Sequence, residues 1–152
     1  MTRHDNLKLD HQLCFALYAA THALTRAYRD GLEQAGLTYT QYLVMMVLWE
    51  KDSISVGSIA QRLELDSATL TPMLKRLELA GFIDRKRNKN DERIVEVSLT
   101  KAGDALQDQI AKVQHGVECQ TGLCHEEFIQ LKQSLQHLVE SMSKDAKLKA
   151  AA

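Results

Sequence analysis

The stretch that decides the fold is SISVGSIAQRLELDSATLTPMLKRLELAGFIDRKRNKNDERIVEVSLT, Ser53 to Thr100. It reads as two short helices joined by a tight turn, then a polar loop between two strand-like runs. The first helix is expected over about Val56–Leu63, with Ser55 as its cap and Ile59, Ala60 and Leu63 turned inward. After Glu64-Leu65-Asp66 a second helix places Leu70, Met73, Leu74 and Leu77 on one side at spacings of three and four, and Gly81 stops it. Outward, near its start, stand Ser67, Ala68, Thr71 and Lys75, small or hydrogen-bonding groups that fit a major groove. Pro72 falls past the first turn and removes a backbone donor, so a slight bend is expected there.

Beyond Gly81, the strand formers Phe82 and Ile83 are separated from Ile94, Val95 and Val97 by the ten polar residues 84–93. Arg85, Arg87, Lys89 and Arg93 crowd this hairpin, which suits phosphate contact and minor-groove insertion. Asp91 reads as a partner that holds Arg93 and the hairpin in shape. A solvated hairpin of mixed charge is the plain alternative, but directly after a two-helix unit the basic residues read as a DNA-contacting wing. The class is therefore mainly α with a small β wing, a winged helix-turn-helix.

Composition narrows the role. The chain has 152 residues, 45% hydrophobic and 26% charged, with a formal net charge of -1. A general nucleic-acid coat is excluded, so affinity for DNA has to come from a local patch and from two copies acting together. The start MTRHDNLKLDHQ has no apolar signal segment and no run approaches a membrane span, so a cytoplasmic location is expected. Three cysteines make no disulfide framework, and in a reducing compartment they are inert, metal-bound or redox-reactive.

Outside the central stretch the chain is helical. Asp10 is expected to cap a first helix that runs to about Glu33 and carries Leu13, Leu17, Ala20, Leu24, Ala27 and Gly31 on one face. Cys14 and Tyr28 both belong to this helix, about 21 Å apart along its axis at 1.5 Å per residue. They cannot touch within it; if they meet, the tyrosine comes from an antiparallel second copy, or the helix breaks. Thr38 is expected to cap a helix from Tyr39, with Leu43, Val44, Val47 and Leu48 buried and Tyr42 and Trp49 as packing residues. Thr100 caps the helix of Ala102, Leu106, Ile110, Val113 and Val117. A break near Gly122 leads to a last helix with Phe128, Leu131, Leu135, Leu138 and Met142, where Cys124 and Glu127 resemble a capping box and residues 144–152 are expected to fray. Residues 37–100 are thus read as the DNA-binding domain, and 8–36 with 101–144 as a helical dimerisation region whose apolar stripes pack on a second protomer.

The chain resembles the MarR-type winged-helix regulators, and among them the organic-hydroperoxide-sensing repressors. LTPMLKRLELAGFIDRKRNKNDERIVEVSLTKAG, Leu70 to Gly103, carries the general likeness; LDHQLCFALYAA, Leu9 to Ala20, with Tyr28 and Tyr39, carries the narrower one. The resemblance implies a homodimer on a pseudopalindromic operator in double-stranded DNA, released when organic hydroperoxide oxidises Cys14. It also implies that Tyr28 and Tyr39 of the partner subunit hydrogen-bond to the Cys14 sulfur, and that the chain is similar to the two-cysteine kind. There a later cysteine of the opposite subunit resolves the sulfenic acid: Cys119, or alternatively Cys124. A thiolate at a helix start beside hydroxyl donors suits attack on a peroxide, and apolar neighbours such as Phe15 and Leu17 favour organic ones. No cofactor is implied.

Three rival readings are open. His115, Cys119, Cys124 and His125 are candidate ligands of a metal sensor, although no close Cys-x-x-Cys pair is present. A repressor of the same kind that takes a small phenolic or other anion would leave Cys14 structural. A thiol peroxidase would have no use for a basic wing, so the chain is not expected to be an enzyme.

Overall fold

The computed structural model describes residues 4–150, with side chains through residue 143. Residues 1–117 form one compact unit and residues 118–152 a second. Among the described residues six α-helices and three short strands follow one another: α1 Leu13–Gln34, α2 Tyr39–Glu50, β1 Ile54–Ser55, α3 Val56–Leu63, α4 Ser67–Leu79, β2 Ile83–Arg87, β3 Val95–Leu99, α5 Lys101–Gln120 and α6 His125–Ala150. The class is mainly α with a small β wing, as expected.

Asp10 does not cap α1. Leu9–His11 forms a 3-10 turn closed by His11 N–H to Lys8 O and Gln12 N–H to Leu9 O. Helical dihedrals therefore begin only at Leu13, with Gln12 at the cap position and its amide turned back to the carbonyls of Asn6 and Lys8. From there α1 runs unbroken for 22 residues. Its C-terminal half joins the core through Leu32, and Gly31 meets the side chain of Val113 so closely that a Cβ would stand 2.6 Å from it.

The second helix is apolar nearly all round and forms the centre of the core: Tyr42, Val44, Met45, Val47 and Leu48 are buried, and Leu43 half-buried. Its start is a capping box. Thr38 Oγ1 accepts from Gln41 N–H at 3.3 Å and Gln41 Oε1 accepts from Thr38 N–H at 2.8 Å. Ser55 caps α3 through Ser58 N–H at 3.1 Å, and Asp66 caps α4 through Thr69 N–H at 2.6 Å. Leu70, Leu74 and Leu77 bury the inner face of α4 against Ile59, while Met73 stays half-buried; the helix continues through Pro72. It ends at Gly81, whose φ of +78° lets Gly81 N–H reach Glu78 O and Phe82 N–H reach Leu77 O.

The sheet has the order β1-β3-β2, all antiparallel, with Ile83 opposite Leu99 and Ile54 opposite Val97. Two details differ from the sequence reading. The pairing segment β1 is two residues long, too short to leave a periodic signal. Residues 84–87, read as loop, continue β2, because their backbone pairs with β3 while the charged side chains of Asp84, Lys86 and Arg87 face water. The true turn is therefore 88–94. At the far side, Thr100 Oγ1 accepts from Gly103 N–H at 3.1 Å and donates to Gly81 O at 2.6 Å. The start of α5 thereby lies hard against the turn after α4, where a Cβ on Gly103 would come within 2.0 Å of Phe82 O. Trp49 Nε1 donates to Gly103 O at 3.0 Å, so Trp49 does pack, with its one donor satisfied.

In α5, Ile110 and Val117 are buried and Leu106 and Val113 half-buried, whereas Ala102 is exposed. Gly122, at φ +68°, marks the break before α6. The expected stripe of α6 is present as sequence, but Leu131, Leu135 and Met142 are exposed in the single chain. So are Leu13, Phe15, Tyr18 and Leu24 of α1. The expected fraying of 144–152 concerns side chains, and at 151–152 also backbone, outside the described residues.

Candidate functional site

Two groups of residues carry chemistry, and both belong to elements already described. The first surrounds the outer face of α4. Ser67, Ala68, Thr71 and Lys75 are all exposed there, opposite the buried leucines. Thr71 Oγ1 donates to Ser67 O at 2.6 Å, which fixes its methyl and hydroxyl on that face. An open cleft of about 430 Å³ runs between the start of α3, this face and the wing; Ser55, Ser67, Thr71, Arg85, Arg93 and Ile94 line it.

Inside the wing, the four basic residues singled out in the sequence are not equivalent. Arg85 is half-buried and its Nε and Nη2 both donate to Glu78 Oε2, at 3.0 and 2.6 Å. The pair ties β2 to the end of α4, and the guanidinium holds the Glu78 carboxyl below the usual carboxylate range. Arg87 is exposed and donates from Nη1 to Glu92 O at 3.2 Å. Lys89 stands exposed on the turn. Asp91 does brace the turn, but through the backbone: its Oδ1 accepts from Arg93 N–H at 3.0 Å, and no Asp91–Arg93 ion pair is made among the described residues. The Arg93 guanidinium is thus left to the cleft. Asn88 completes the turn, accepting from Asn90 and Asp91 N–H while its amide donates to Glu96. The sequence reading missed Glu78 and Asn88, since a contact across a turn between helix and strand has no periodic signature.

The second group is built on α1 and α2. Cys14 is exposed in the first turn of α1, beside the exposed rings of Phe15 and Tyr18. Tyr18 packs in turn against His22, with ring centroids 4.2 Å apart. Since α1 is unbroken, Tyr28 of the same chain lies about 21 Å further along the axis, out of reach of the Cys14 sulfur. Tyr28 instead meets Tyr39, at a centroid distance of 5.6 Å, and Tyr42, at 5.3 Å; Tyr39 and Tyr42 are 5.9 Å apart. The two tyrosines singled out in the sequence are brought together, and Tyr42 joins them as a third ring. Its spacing of three from Tyr39 was the available signal. Burial raises both the Tyr39 and Tyr42 hydroxyls above the ordinary phenol range, with the Tyr28 hydroxyl adding to the effect on Tyr42 as a hydrogen-bond partner. At neutral pH both are proton donors.

The remaining cysteines are exposed, and none of the three is in a disulfide. Cys119 lies in the last turn of α5. Cys124 precedes α6 and forms half of the expected capping box: its N–H donates to Glu127 Oε2 at 2.9 Å. Its sulfur donates to Glu126 Oε2 at 3.4 Å instead of accepting from the helix. Among the described residues no group of three or more His, Cys, Asp or Glu comes together as metal ligands. No helix among the described residues is long and apolar enough to cross a membrane.

Comparison with known proteins agrees with this architecture. The profile described as transcriptional regulator SarA/Rot matches residues 26–110. The chain is 42% identical over 141 residues to the organic hydroperoxide resistance transcriptional regulator of Bacillus subtilis, covering 91% of this chain and 94% of that protein. It is 50% identical over 125 residues to the HTH-type transcriptional regulator TtmR of Methylorubrum extorquens, covering 82% of this chain but only 64% of that protein. Among solved structures, reduced AbfR bound to DNA superposes with a TM-score of 0.69 at 35% identity, over 91% of this chain and 99% of that one. The disulfide form of AbfR gives 0.63 at 37%, over 89% and 95%. On its sequence and its fold, the chain belongs to the MarR/SarA family of winged-helix transcriptional regulators.

Proposed function

We propose that the protein is a redox-sensing transcriptional repressor of the cytoplasm, binding DNA when reduced and releasing it when organic hydroperoxide oxidises Cys14. The observation that carries this reading is the unbroken α1. It presents Cys14 exposed at one end and Tyr28, packed with Tyr39, about 21 Å away, so the sulfur and the phenols meet only between two antiparallel copies. The exposed apolar residues of α1 and α6 are the surface such a dimer would cover. In this reading 37–100 binds DNA, and 8–36 with 101–144 holds the two copies together. The names of the Bacillus relative and of the reduced, DNA-bound AbfR structure support the same signal and the same target.

The chemistry balances without a cofactor. The Cys14 thiolate attacks the terminal oxygen of the hydroperoxide; an S–O bond forms, the O–O bond breaks, and the alkoxide leaves to take up a proton as the alcohol. Sulfur is oxidised to sulfenic acid and the peroxide is reduced. A second thiol then displaces water to form a disulfide, for which Cys119 of the opposite subunit is preferred over Cys124, which stands at the cap position of α6 with its N–H bound to Glu127. The charge held by the Tyr28 and Tyr39 hydroxyls disappears, and an intersubunit link that draws the helical ends together changes the spacing of the two winged domains against their half-sites. No turnover is assigned: the protein is a sensor and not an enzyme.

The test is peptide mapping by mass spectrometry after treatment with cumene hydroperoxide, alongside an operator-binding titration. A Cys14–Cys119 peptide supports the scheme and a Cys14–Cys124 peptide moves the resolving role. Unmodified Cys14 in protein that has released DNA refutes it and favours the small-ligand or metal reading.

A further inference from the structure

Glu78 is a carboxylate beside the surface assigned to DNA. It stands in the last turn of α4, and its Oε2 accepts from Nε and Nη2 of Arg85 at 3.0 and 2.6 Å. On charge alone this placement is unfavourable twice over. The carboxylate repels phosphate, and it occupies an arginine that lines the cleft between α3, α4 and the wing. Yet this ion pair is the least exposed among the described residues, with side chains 24% and 36% exposed against 51% or more in the others. It is set into the structure, unlike the solvated pairs that contribute little.

What the pair does follows from how the wing is attached. In the order β1-β3-β2, the strand β2 is an outer one, and it leaves α4 through residues 80–82 alone, with Gly81 at φ +78°. On the other edge, β1 holds β3 through only two residues, Ile54 and Ser55. Ile83 and Arg85 lie two apart along β2 and so point to the same side of the sheet. Ile83 is buried and fastens the strand to the core, while Arg85, further out, fastens it to the end of α4. One anchor would let the strand pivot; two anchors on the same side fix its direction. From this geometry we infer that Glu78 is a positioning residue of DNA recognition: through Arg85 it sets the angle between the wing and α4. Helix and wing then meet DNA as one rigid body, with the ordering done before binding. The inference rests on the reading of α4 and the wing as the DNA surface and deepens it; it needs nothing from the sensing chemistry.

The experiment uses the intact, reduced dimer and two duplexes of equal length: an operator selected by the wild-type protein from a random pool, and a scrambled version of it. Fluorescence anisotropy gives both affinities. Glu78→Gln keeps the shape but leaves Arg85 without its carboxylate. It is expected to bind the operator about tenfold more weakly, since two loosened wings per dimer have to be ordered on binding. Affinity for the scrambled duplex should hold or rise, because a negative charge has gone and an arginine is released to phosphate. Operator affinity that is unchanged or raised would mean that Glu78 acts by charge alone, and overturns the inference; so does an equal loss on both duplexes. In an Arg85→Gln background, Glu78→Gln should cause no further loss, because its route to the wing is gone. A full further loss there overturns the inference as well. If Glu78→Gln is too unstable to assay, Glu78→Arg combined with Arg85→Glu reverses the pair and keeps the tie. That protein is expected to retain the preference for operator over scrambled duplex, and loss of the preference in folded protein refutes the inference. Operator binding left untouched by both Thr71→Val and Arg93→Ala is a different failure: it displaces the DNA surface itself and takes the inference with it.

Discussion

Arg93→Ala is expected to flatten the salt dependence of operator binding, whereas Arg85→Ala is not. The two arginines belong to the same wing and line the same cleft, yet their guanidinium groups are differently committed. Arg85 is held by Glu78 in two hydrogen bonds, so it neutralises a carboxylate of its own chain. Arg93 gives only its backbone N–H to Asp91, and its side chain is available to a phosphate. A dimer carries two wings, so Arg93→Ala removes two contacts at once. At a slope of about 0.9 per neutralised phosphate, log K against log salt should become shallower by about 1.8. Between about 50 and 200 mM salt the wild type should then lose about 12-fold more affinity than the variant. Fluorescence anisotropy on an operator duplex across that range measures both slopes. Arg85→Ala should leave the slope near wild type while loosening the attachment of β2 to α4, seen as a lower Tm. Equal flattening by the two substitutions, or flattening by Arg85→Ala alone, would show that the ion pair with Glu78 opens on DNA and that the reasoning from the free chain is wrong.

Thr71→Val keeps the shape of the outer face of α4 but removes its hydroxyl; it should change the preference among operator variants at fixed salt with no change in slope, as competition binding will report. Gly103→Ala sets a methyl carbon 2.0 Å from Phe82 O, and the two backbones have to part. The expected loss is about 2–3 kcal/mol, or roughly 5–10 °C in Tm by calorimetry, despite the better helix propensity of alanine. The Tyr42 hydroxyl titrates higher in the folded chain than its ordinary value of 10.0, so the stability it contributes is complete below pH 10 and is lost as pH rises beyond it. Urea unfolding should therefore show stability falling above pH 10, and less steeply in Tyr42→Phe protein.

Much of this molecule was legible in one dimension because its signals are local. Ser55, Thr38 and Thr100 are followed at once by the helices they cap, and Leu70, Leu74 and Leu77 share a face by helical period alone. The Asp10 cap failed for a local reason too, a 3-10 turn that delays the helix by two residues. The sequence by itself also determined that Cys14 and Tyr28 cannot touch within an unbroken helix, since rise per residue is a property of the backbone and not of the fold. What only the tertiary structure decided is which groups spend their charge or proton inside the chain. Arg85 and Arg93 read alike as letters, and so do Tyr39 and Tyr42. The packing of β2 on α4 gives one arginine a carboxylate and leaves the other free, and the packing of α1 on α2 buries one phenol and half-exposes its neighbour. Those outcomes depend on distances between elements far apart along the chain, which no spacing within a segment encodes.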